Sequence, residues 1–98
     1  MQIGVLSKNR EFWATTEIIN ALTKKGVEPE YLKTPEIHLM LGEKVDAVYE
    51  RKSISSLGAV IPRIGRSLTQ LGVMLLKHFE LMNIPSTLAI NGLTTARN

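Results

Sequence analysis

Ninety-eight residues, 44% of them hydrophobic, fit a single domain with one buried core. The chain has no cysteine, which excludes a disulfide framework, thiolate metal sites and a cysteine nucleophile. Twelve Lys and Arg against nine Asp and Glu give a net charge of +3. The basic residues are scattered, however, and aromatics make up only 5%, unlike the dense basic stripe of a nucleic-acid binder. No apolar run approaches the roughly 18 residues of a membrane span, and Met1-Gln2-Ile3-Gly4 has no signal-peptide character. The chain therefore reads as cytoplasmic, binding neither membrane nor nucleic acid.

Gln2 to Leu6 is a short apolar run that predicts a buried strand, entering the polar loop Ser7-Lys8-Asn9-Arg10. A helix follows, with Thr15 or Thr16 expected to cap its start, Ile18, Ile19 and Leu22 on its apolar face and Gly26 at its end. Phe12 and Trp13 are expected to seal the bottom of the core. Glu28 to Lys33 reads as a second strand closed by Thr34-Pro35. Residues 37–49 suggest a hairpin around Gly42-Glu43-Lys44, with Tyr49 to Lys52 as a solvated strand end. Leu57 to Ile61 predicts a third core strand ended by Pro62, because proline gives up a ladder donor.

Ser67-Leu68-Thr69-Gln70 has the form of a capping box, and Leu68, Leu71, Leu75, Phe79 and Met82 follow at helical spacing. Asn83 and Pro85 stop that helix, and Pro85 to Ile90 reads as a final strand. Met40, Met74 and Met82 are expected to fill the core.

This alternation predicts an open α/β fold with a mostly parallel sheet of order 2-1-3-4 and an added β-hairpin. Ligands bind such sheets where the strand order reverses, beyond the carboxyl ends of the first and third core strands. Those ends carry Ser7, Lys8 and Arg10 on one side and Arg63, Gly65, Arg66 and Ser67 on the other. Two guanidinium groups beside a helix start suit a carboxylate or phosphate. The plainer alternative is that Ser67 only caps, Gly65 only turns and the arginines are solvated. There is no dinucleotide fingerprint, phosphate loop or catalytic constellation, and His38 and His78 read as structural or solvated.

Gly58-Ala59-Val60-Ile61-Pro62-Arg63-Ile64-Gly65, with Ser67-Leu68-Thr69, Phe79-Glu80 and the opening Ile3-Gly4-Val5-Leu6-Ser7, resembles the RimK-like ATP-grasp ligases. The ending, Ala89-Ile90 with Ala96-Arg97-Asn98, is similar to the segment leading into that family's catalytic core. One departure is that Thr87-Leu88-Ala89 stands where family members tend to carry Asn. The resemblance implies that residues 1–98 are one N-terminal, three-layer Rossmann-like (pre-ATP-grasp) domain of a longer ligase. It implies that the parent couples a carboxylate to an amine, adding an amino acid such as glutamate to a protein or coenzyme acceptor. ATP and magnesium are then cofactors of the parent, held by central and C-terminal ATP-grasp domains of the same chain, with none expected in this domain. Ser7, Lys8, Arg10, Arg63, Gly65, Arg66 and Ser67 would face the acceptor substrate, with no catalytic or metal-binding residue among them. A homo-oligomer is compatible with this reading. The competing reading is a non-catalytic α/β interaction or regulatory module. A receiver-like version of it needs acidic strand ends, where this chain has Ser7 and Arg63.

Overall fold

The computed structural model describes residues 1–63 and 69–86. Its elements are β1 (Gln2–Ser7), α1 (Trp13–Lys24), β2 (Glu28–Lys33), a 3-10 turn (Thr34–Glu36), β3 (His38–Met40), β4 (Asp46–Tyr49), β5 (Lys52–Ser53), β6 (Ala59–Arg63) and α2 (Thr69–Leu81). They form two sheets. One is parallel, with β1 between β2 and β6, and the other antiparallel, with order β3-β4-β5. The parallel order is the 2-1-3 part of the expected sheet. A parallel bridge from Val60 to Ser86 lies on the far side of β6, and residues 87–90 of the expected fourth strand lie outside the described residues.

Strand periodicity divides the two faces of β1 between two helices. Ile3, Val5 and Ser7 share one face, and the Ser7 hydroxyl meets Thr15 of α1 at 2.7 Å. Leu6 points the other way, into a cluster with Leu32, Val60 and the Leu75, Leu76 and Phe79 of α2. Ala47, Tyr49 and Ile54 join that cluster from the antiparallel sheet side. The predicted apolar face of α2 thus packs as expected at Leu75 and Phe79, with Leu71 and Met82 at its margin.

Both helices end in the same motif. Gly26, at φ +78°, lets its N–H reach Thr23 while Val27 N–H reaches Leu22. In α2 the left-handed residue is Asn83, with Asn83 N–H on Glu80 and Ile84 N–H on Phe79. These pairs satisfy carbonyls that would otherwise be orphaned at the helix end.

Several local expectations are corrected. Neither Thr15 nor Thr16 caps α1. The helix starts at Trp13 without a side-chain cap, Thr15 lies buried against β1, and Thr16 donates to the Arg10 carbonyl at 3.2 Å. Phe12 and Trp13 do not seal the core but are 49% and 77% exposed. Met40 and Met74 are also exposed, so of the three methionines only Met82 packs against the core. The hairpin gains a third strand. Tyr49 is buried, and Glu50 and Arg51 adopt positive φ to turn the chain into β5, the geometry of a two-residue hairpin loop. Finally, Pro62 lies inside β6 rather than ending it. Val60 donates to Pro85 on the side away from β1, and Pro62, two residues on, faces the same way. No ladder bond to β1 is lost.

Candidate functional site

The three parallel strands end together, and their last residues stand in register. Lys33 pairs with Ser7 on one side and Arg63 with Ser7 on the other. Register partners leave the same face, so Arg63 projects on the α1 side of the sheet. The loop from β1 to α1 rises from this edge with Lys8 and Arg10 exposed. The structure therefore brings Ser7, Lys8, Arg10 and Arg63 to one edge, whereas Gly65, Arg66 and Ser67 lie outside the described residues.

Ser7 holds the loop rather than facing an open space. Its hydroxyl is fully buried, donates to the Asn9 carbonyl at 3.1 Å, accepts from Asn9 N–H at 3.3 Å and meets the Thr15 hydroxyl at 2.7 Å. With Thr15 donating, the single proton and both lone pairs of Ser7 are taken. Asn9 continues the brace, its side-chain oxygen accepting from Glu11 N–H at 2.8 Å and its carbonyl from Phe12 N–H at 3.2 Å.

Sequence reading missed two residues at this edge. Tyr31 donates its hydroxyl to the Ser7 carbonyl at 3.1 Å, tying β2 to the base of the loop. Burial pushes the phenol upward, with Tyr49 and Glu36 adding to the effect, so the hydroxyl stays a donor at neutral pH. Lys33 is the second, exposed and paired with Glu36 at 3.2 Å. Its only sequence signal is its place at the end of β2. Among the described residues no such ion pair engages Lys8, Arg10 or Arg63.

His78 is buried and donates from Nε2 to the Asp46 carbonyl at 2.7 Å, joining α2 to β4. Asp46 itself accepts from Ser53 Oγ and Ala47 N–H, both at 2.8 Å, and these bonds hold its carboxyl below the usual range. Among the described residues no three His, Asp or Glu side chains form a metal-binding group, and no helix is long and apolar enough to cross a membrane.

The family model for the RimK pre-ATP-grasp domain matches residues 1–93. A probable alpha-L-glutamate ligase of Aliivibrio salmonicida (strain LFI1238) is 32% identical over 85 residues, covering 86% of this chain and 28% of the relative. Its counterpart in Aeromonas salmonicida (strain A449) is 33% identical over 92 residues, covering 93% of this chain and 30% of the relative. The chain thus spans under a third of the length of these relatives. In fold it is similar to the crystal structure of macrocyclase MdnB from Microcystis aeruginosa MRC. The TM-score is 0.66 at 20% identity, over all of this chain and 45% of that one. With the model matched along nearly its whole length, this chain belongs to the RimK pre-ATP-grasp domain family.

Proposed function

We propose that residues 1–98 are the N-terminal, substrate-side domain of an ATP-dependent carboxylate–amine ligase, adding an amino acid such as glutamate to a protein or coenzyme acceptor. The observation that carries this reading is the family match from residue 1 to residue 93, which includes the strand-end edge. The coverage of the relatives supports placing ATP and magnesium in domains beyond this one. The role proposed for this domain is to bind and orient the acceptor. The four-strand order 2-1-3-4 is part of the same proposal, supported by the Val60–Ser86 bridge.

Within this domain the acceptor faces Arg63, Lys8 and Arg10, with Gly65, Arg66 and Ser67 assigned to the same cleft from sequence. Arg63 suits a carboxylate or phosphate through two parallel N–H bonds. Ser7 acts at one remove, fixing the loop that carries the two other cations. The test is an assay of the complete protein with ATP, magnesium, glutamate and candidate protein or coenzyme acceptors, following ADP release and the mass of the acceptor. Glutamate-dependent ADP release with a matching mass gain is expected. Release of ADP with no acceptor gaining mass would leave the ligase assignment unsupported. The runner-up, a regulatory module, predicts neither.

A further inference from the structure

The sole tryptophan of the chain is 77% exposed and its neighbour Phe12 is 49% exposed, although the core contains the other phenylalanine fully buried. Fraying does not explain this exposure. The Phe12 backbone is pinned through both of its polar groups: its N–H bonds to the Asn9 carbonyl at 3.2 Å, and its carbonyl accepts the first helical bond from Thr16 N–H at 3.0 Å. Asn9 is in turn held by Ser7, and Ser7 by Thr15. A braced loop thus presents two adjacent large rings to solvent, beside exposed Lys8, Arg10 and Glu11. An apolar patch with a polar rim marks an interaction surface, and tryptophan is prominent among residues that dominate such contacts.

The direction of the chain says what covers it. Ser86 runs parallel to Val60, and β6 runs parallel to β1, so at Ser86 the backbone heads toward the edge where β1 ends and the Phe12–Trp13 loop begins. The relatives carry more than two thirds of their length outside the region matched here. We propose that Phe12 and Trp13 form the contact surface on which the part of the same protein that follows this domain docks. This inference rests on the reading of the chain as the first domain of a longer protein. The surface sets the angle between the domains, and with it the position of the cationic edge relative to the chemistry they perform.

Hydroxyl-radical footprinting of the complete protein, read by mass spectrometry, tests this. Rates at Trp13 and Phe12 are compared with those in the same protein unfolded in urea. Packing of this domain alone leaves Trp13 little protected, whereas docking should slow its modification at least about fivefold, toward the behaviour of buried Phe79. Trp13 modified at nearly the unfolded rate overturns the proposal. So does protection that appears only on adding ATP and acceptor, which would mean a substrate-stacking site, or protection lost on dilution to the monomer, which would mean a second copy. As a second measurement, Trp13→Ser, exposed in this domain and so compatible with its folding, should speed proteolysis between this domain and the next. An unchanged cleavage rate counts against docking. Footprinting needs no turnover, so a protected Trp13 in a protein without ligase activity would overturn the ligase reading and leave the docking surface standing.

Discussion

Gly4 and Gly58 show how much one methyl group depends on what it meets. A Cβ at Gly4 would lie 2.9 Å from Cδ1 of both Leu32 and Leu57, inside a closely packed core. Gly4→Ala should therefore destabilise by about 1–3 kcal/mol, the usual cost of overpacking. A Cβ at Gly58 would lie even closer, 2.7 Å, to Cγ of Met1, but Met1 is exposed and its side chain is free to swing away. Gly58→Ala should stay within about 0.5 kcal/mol of the parent. Denaturant unfolding of the two variants checks the pair, and equal losses would mean that crowding is not what decides. The sequence marks both glycines alike, because the difference lies in which neighbours tertiary packing supplies. Ser7 teaches the same lesson from the polar side. As a serine at a strand end it reads as a ligand group, yet its bonds to Thr15 and Asn9 depend on where α1 settles on the sheet.

At the scale of elements, what reads correctly from sequence is what local chemistry decides. β2 runs from Glu28 to Lys33 as expected, between a left-handed Gly26 and the break at Thr34-Pro35. The helical spacing of α2 buries Leu75 and Phe79, and Phe79 is fully inaccessible. Phe79→Ala should cost about 3–5 kcal/mol. A thermal midpoint that barely moves would mean the helix packs by another face. What escapes the sequence is decided across strands. β5 is two residues long and follows Glu50 and Arg51 at positive φ, with no glycine or asparagine to announce the turn. Pro62 escapes for a related reason, since only the sheet order shows which side its missing donor faces. The β4–β5 ribbon carries a pH prediction through Asp46, whose carboxyl is lowered by the Ser53 hydroxyl, then by the Ala47 N–H. A lowered folded value means that the charged form favours the folded state. This contribution is present above the ordinary carboxylate value and is lost as pH falls below it, through the lowered value of the folded state. Asp46→Asn should flatten the acid side of the stability profile over that window. Superimposable melting profiles for the two proteins would remove Asp46 from the account.

For the whole molecule, the decisive feature is that parallel strands deliver cations from separate parts of the chain to one edge. Sequence order and the rule for strand-end clefts were enough to nominate Ser7, Lys8, Arg10 and Arg63, and register places Arg63 directly beside Ser7. They were not enough to find Lys33 or Tyr31, since neither belongs to a motif and each matters only through the alignment of β2 with β1. These cations differ in what they are free to do. Lys33 is partnered by Glu36, whereas among the described residues Arg63 has no carboxylate at ion-pair distance. On the proposed ligase reading, Arg63→Ala in the complete protein should raise KM for the acceptor or lower kcat while leaving ATP affinity close to the parent value. Loss of one charged hydrogen bond is worth roughly 1.5–3 kcal/mol, or about ten- to a hundredfold in kcat/KM. Arg63→Lys keeps the charge but not the planar pair of donors, so it should recover only part of that loss if recognition is bidentate. Full recovery by lysine would reduce the role to charge alone. A variant that unfolds more readily, with unaltered kinetics in the folded fraction, would return Arg63 to the scaffold.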